Sequence, residues 1–114
     1  MRSLRTSAAL AGLLLLVACS RNPVLGDWEL DRGQTSRGAA LAAEAAGLAS
    51  LSLQGDAIVV DDLEIPVTWT VEGQVAQAVR GDGRGEHRLE ILPDGSLQVE
   101  LPIGVTAIYR RAGS

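Results

Sequence analysis

From Leu25 onward, apolar and polar positions alternate with a period of two along most of the chain. The longest run covers 63–71, where Leu63, Ile65, Val67, Trp69 and Val71 are separated by Glu64, Pro66, Thr68 and Thr70. Successive side chains of a strand point to opposite faces, so this run offers one apolar face and one polar face. Pro66 has no amide donor, which predicts an edge position or a bulge there. Residues 96–101 repeat the pattern with Leu97, Val99 and Leu101 inward, and 105–111 place Val105, Ala107 and Tyr109 on one face, Thr106, Ile108 and Arg110 on the other. Gly55-Asp56, Glu72-Gly73, the glycine-rich stretch 81–85 and Pro93-Asp94-Gly95 supply turn chemistry between the runs. The reading gives strands near 26–31, 50–54, 57–61, 63–71, 74–80, 86–92, 96–101 and 105–111. Eight short strands joined by tight turns predict a mainly β chain, an antiparallel meander curled into a small barrel or a strongly twisted sheet.

One segment breaks the alternation. Residues 36–49 are alanine-rich, with Leu41, Ala45 and Leu48 at helical spacing. They predict one short helix after the first strand, capped by Thr35 or Ser36 and ended by Gly47 at positive φ, with Gly38 weakening its first turn. Alanines bury little area but permit close approach, so the helix is expected across one open end of the sheet. Phenylalanine is absent and Trp28, Trp69 and Tyr109 are the only aromatics, so the core is expected to be Leu, Val, Ile and Ala.

The first residues are of another kind. Met1–Arg5 carries two arginines and 8–17 is apolar apart from Gly12. This is the basic start and short apolar core of a secretory signal, about half the roughly twenty residues that a bilayer-spanning helix needs. The run closes on Leu16-Val17-Ala18-Cys19, which resembles the lipobox of bacterial lipoproteins. The resemblance implies cleavage before Cys19, lipidation of its thiol, a tether over 19–24 and a folded domain over 25–114. It also implies an anchor on a bacterial membrane with the domain facing the periplasm or the exterior. Ser20 after the cysteine, by analogy with enterobacterial sorting, favours the outer membrane over the inner. Two or more acyl chains, at about 0.8 kcal/mol per buried methylene, make a stable anchor.

Cys19 is the only cysteine, which excludes an intrachain disulfide and a two-cysteine metal site. The net charge of −4 becomes −6 without Arg2 and Arg5, a poor balance for binding nucleic acid.

Gly26-Asp27-Trp28 resembles the G-x-W opening of lipocalin-like barrels. The resemblance implies a tryptophan on the first strand at the closed end, with an arginine of a late strand packed over it, a structural role that falls to Arg110 or Arg111. Lipocalins are longer and carry their helix near the C-terminus. Small periplasmic protease inhibitors are a second resemblance, though these commonly hold a disulfide.

Little in the chain points to catalysis. His87, the only histidine, is expected on the solvent face of its strand, and no serine lies in a G-x-S-x-G setting. Asp82-Gly83-Arg84-Gly85-Glu86 lacks the alternating oxygen ligands of a calcium loop and the lysine of a phosphate loop. Asp61, Asp62 and Glu64 read as a solvated turn. No catalytic residue, cofactor or metal ligand is assigned, and the chain is not expected to be an enzyme. The expectation is a lipid-anchored, non-enzymatic binding or scaffold domain for a small apolar ligand, with Trp69 and the inward Val and Leu residues as candidate contacts. The alternative is a protein-interaction module, either an envelope assembly factor or a periplasmic protease inhibitor.

Overall fold

The computed structural model describes residues 21–101 and 104–113. Eight strands follow one another as β1 (Gly26–Leu30), β2 (Ser50–Gln54), β3 (Ala57–Val60), β4 (Leu63–Glu72), β5 (Val75–Arg80), β6 (Glu86–Ile91), β7 (Leu97–Glu100) and β8 (Thr106–Arg111). Each pairs antiparallel with the next, and β1 pairs with β8, so the sheet closes into an up-and-down barrel in sequence order. Closure removes sheet edges. The signal, lipobox and Cys19 lie outside the described residues. No described helix is long and apolar enough to cross a membrane.

Pro66 is therefore not on an edge, and the register of β4 runs through it without a bulge. β4 pairs with β3 over 63–66 and with β5 over 67–72, so Pro66 stands where one ladder gives way to the other. Its carbonyl accepts from Gly81 N–H (2.9 Å), and its missing donor falls just past the end of β5 at Arg80.

The turns follow their residues. Gly73 (φ 61) opens the β4–β5 turn and Gly95 (φ 89) closes 92–95, where Asp94 accepts from Ser96 N–H at 2.9 Å. The Gly55-Asp56 hairpin forms without a positive φ at either residue. In the β3–β4 turn a non-glycine pays the steric cost instead, since Asp61 sits at φ 53. Left-handed backbone is open to glycine and unfavourable for a residue with a Cβ. Asp61→Gly is expected to stabilise the fold by about 0.5 kcal/mol after its unfolded-state entropy is counted. A urea midpoint that does not rise contradicts this.

The single helix among the described residues, α1 (Arg37–Ala45), is shorter than the 36–49 expected. Ser36 caps it, its hydroxyl accepting from Ala39 N–H at 3.2 Å. Gly47 (φ 79) ends it: Gly47 N–H donates to Glu44 O (3.1 Å) and Leu48 N–H to Ala43 O (2.8 Å), the double bond pattern that satisfies the last carbonyls. The buried face is Ala39, Ala40 and Ala43, and Leu41 is 60% exposed, so the Leu41–Ala45–Leu48 stripe is not the inner face. The buried Thr35 ties α1 to the barrel: its hydroxyl accepts from Ile108 N–H (3.0 Å) and donates to Asp31 O (2.7 Å).

The two ends of the barrel differ. One end holds Gly26, the turns after β2, β4 and β6, and Arg111. The other holds the end of β1, α1, and the connections after β3, β5 and β7. Trp28, Leu30, Leu53, Leu89, Leu97, Val99, Ala107 and Tyr109 are among the buried residues of the interior. Val24, placed in the tether by sequence, is fully buried, so the folded body begins before Leu25.

Candidate functional site

The end where the chain enters is plugged. Trp28 is fully buried and its indole N–H donates to Val24 O at 2.8 Å. Arg111 lies over the indole with its guanidinium carbon 4.1 Å from the ring centroid. The same guanidinium donates to Leu25 O (2.7 Å) and Pro23 O (3.1 Å), binding the segment before β1 to the end of β8. Arg110 points outward toward Glu29 (3.7 Å), so of the two candidate arginines Arg111 covers the tryptophan. Parity decides this, because Arg111 shares a face with Ala107 and Tyr109. Gly26 at φ 132 leaves room for the arginine, since a Cβ there would collide with Arg111 Nη1.

The opposite end is hollow. A cavity of about 280 Å³ opens between α1 and the connections after β3, β5 and β7. Its walls are apolar: Leu51 and Leu53 of β2, Ile58 and Val60 of β3, Leu89 of β6 and Val99 of β7. Leu48 and Ala46, just past α1, form one lip, and Leu63, 61% exposed, forms another. Tyr109 closes one side, and its hydroxyl donates to Leu48 O at 2.7 Å. Burial pushes that phenol up to about 12, so it remains a neutral donor.

Three charged or titratable side chains interrupt the apolar lining, Arg80 and His87 on the neighbouring strands β5 and β6, and Glu100 at the end of β7. His87 was expected on the solvent face and is instead half-buried facing the cavity. The signal was present in the sequence: His87 has the parity of Leu89, and Arg80 that of Ala76 and Ala78. Burial and, second, the Arg80 guanidinium hold the His87 imidazole below its usual 6.5. The unfolded chain then binds this proton more readily than the folded one. Stability owed to His87 is present above pH 6.5 and is lost as pH falls from 6.5 through the lowered folded value. Urea midpoints are expected to drop from pH 8 to pH 5, with His87→Gln flattening the profile; identical profiles for the two proteins contradict this.

Trp69, a candidate ligand contact by sequence, does not line the cavity. Its indole N–H donates to Gln54 O at 2.8 Å, and it packs against the core beside the β2–β3 turn. The acidic loop after β5 is occupied with itself: Asp82 accepts from Arg84 N–H (2.9 Å) and pairs with Arg80 (3.0 Å). No group of three or more potential metal ligands comes together among the described residues. No family model, curated protein or solved structure matches the chain.

Proposed function

We propose that this chain is a lipid-anchored envelope lipoprotein whose barrel carries a small apolar ligand and performs no chemistry on it. The observation that carries the reading is the apolar cavity, open at one end of a barrel whose other end is stoppered by Trp28 and Arg111. A cavity near 280 Å³ lies at the lower edge of the size range for small-molecule sites, roughly 300–1,000 Å³, and suits a slender ligand. The G-x-W opening with its stacked arginine supports a lipocalin-like assignment.

The Leu16–Cys19 lipobox supports the anchor, and Ser20 favours the outer membrane. Val24 belongs to the stoppered end, so a lipid on Cys19 would hold that end toward the bilayer. The intervening chain, at roughly 3.3–3.6 Å per residue, keeps the barrel close to the surface with its mouth turned away.

The test is fluorescence titration with N-phenyl-1-naphthylamine, a neutral dye that brightens in apolar surroundings. Saturable one-to-one binding is expected, and purely linear partitioning overturns carriage. Radioactive palmitate should label the native chain and leave Cys19→Ala unmarked; an unlabelled native chain overturns the anchor.

A further inference from the structure

We propose that the cavity selects an amphiphile, an unbranched apolar chain ending in an anionic head, and that Arg80 is the residue that receives the head. The inference rests on the carrier reading above and adds the chemical class of the ligand. Its ground is an arrangement in the barrel wall. Along the inner register of β5 and β6, Ala76, Ala78 and Leu89 are apolar and buried, and the two positions nearest the mouth are Arg80 and His87. Both of these can carry positive charge, and the remaining charged residue of the lining, Glu100, stands at the end of β7.

The guanidinium is incompletely paired. Among the described residues its one hydrogen bond runs from Nη2 to Asp82 (3.0 Å), and Nε is buried with no partner. A buried guanidinium N–H without a partner carries a desolvation cost. A carboxylate or phosphate oxygen arriving from the cavity side relieves it with charge-assisted bonds, which are roughly twice as strong as neutral ones.

The nearby acids do not satisfy that need. Asp82 is shared with Arg84 N–H and its side chain is 45% exposed. Glu100 lines the cavity at its rim, but its side chain is 56% exposed and lies 3.8 Å from Arg88. Glu86 and Arg88 of β6 alternate with His87 and are exposed. These acids are more exposed than Arg80, whose side chain is 32% exposed, so water screens them more and Arg80 stays attractive to an anion although the chain as a whole is acidic.

Tail and head then fall in order. The apolar chain lies among Leu53, Ile58, Leu89 and Val99, and the anion stops at the level of Arg80, beside His87. A neutral chain gains the first set of contacts only. A cationic head meets Arg80 and is repelled.

Competition against N-phenyl-1-naphthylamine on the full chain tests this with three compounds of one tail length: dodecanoate, dodecanol and dodecylamine. Displacement is expected in that order, with dodecanoate about tenfold more effective than dodecanol, the lower range for a charge-assisted bond. In Arg80→Gln the preference falls to about twofold or less, and Arg80→Lys restores part of it. Dodecyl phosphate in place of dodecanoate decides which anion fits better. A second measurement needs no variant: the His87 ring protons, followed by NMR, titrate at higher pH with dodecanoate bound and not with dodecanol bound. Equal displacement by dodecanoate and dodecanol, or an unmoved His87 titration, overturns the anionic-head proposal and leaves apolar carriage standing. Failure of the neutral dye to bind overturns the carriage itself.

Discussion

Trp28→Ala is expected to lower the unfolding free energy by about 3–5 kcal/mol, the range for truncating a large buried aromatic. Three losses coincide at this residue. The indole is fully buried, so its removal leaves a void at the centre of the stoppered end. Its buried N–H bond to Val24 O disappears, leaving that carbonyl without this partner. Arg111 loses the ring face on which it rests. A domain of this size has a total margin of about 5–15 kcal/mol, so the variant stands near the edge of folding. Trp28→Phe keeps most of the volume and is expected to cost about half as much.

Arg111→Ala separates the contributions. A guanidinium–indole contact is worth about 0.5–2 kcal/mol, and the two carbonyl bonds to Pro23 and Leu25 add to it. Arg111→Lys keeps the charge and loses the fork, so it should recover little. Urea denaturation of the two single variants and the double variant yields the coupling energy directly. Strict additivity would mean that stacking between ring and guanidinium contributes nothing.

Val99→Trp is expected to abolish dye binding, weakening it by more than about tenfold, while lowering stability by less than about 1 kcal/mol. Adding methylenes to a filled core usually costs about 1–3 kcal/mol. Val99 faces free space of about 280 Å³, so the larger side chain gains contacts where the wild type has none. The opposite result, lost stability with retained binding, would show that the dye sits elsewhere. A binding isotherm and a urea curve on one preparation distinguish the outcomes.

The strands were legible because their side chains carry a strong contrast. In 63–71 and 96–101 every second residue is a large aliphatic or aromatic one, and the observed strands fall within a residue or so of those runs. Helix α1 was legible in kind, and its alanines were expected to allow close approach: Ala39, Ala40 and Ala43 form the buried face. Helical spacing alone did not say which side faces inward, and Leu41, off that face, is 60% exposed.

The mouth was the least legible part. Glu86-His87-Arg88 shows no apolar contrast, so polarity alone puts all three outside. Parity carried from Leu89 puts His87 inside, and parity from Ala78 does the same for Arg80. Near an open end, polar residues tolerate inward positions because water reaches them, and hydropathy then stops reporting direction. The cavity itself had no signal in the pattern, since a filled barrel and a hollow one alternate alike.

Pairing of Trp28 with Arg111, and of Leu30 with Tyr109, has a kinetic consequence. Seven of the eight ladders join strands that are neighbours in sequence and assemble by local zipping. The eighth must bring together the first and last strands, at the highest loop-closure entropy among these ladders. Ring closure is therefore expected to limit the folding rate. A chain in which β1 and β8 are not yet paired has two bare strand borders, open to pairing with another chain in the same condition.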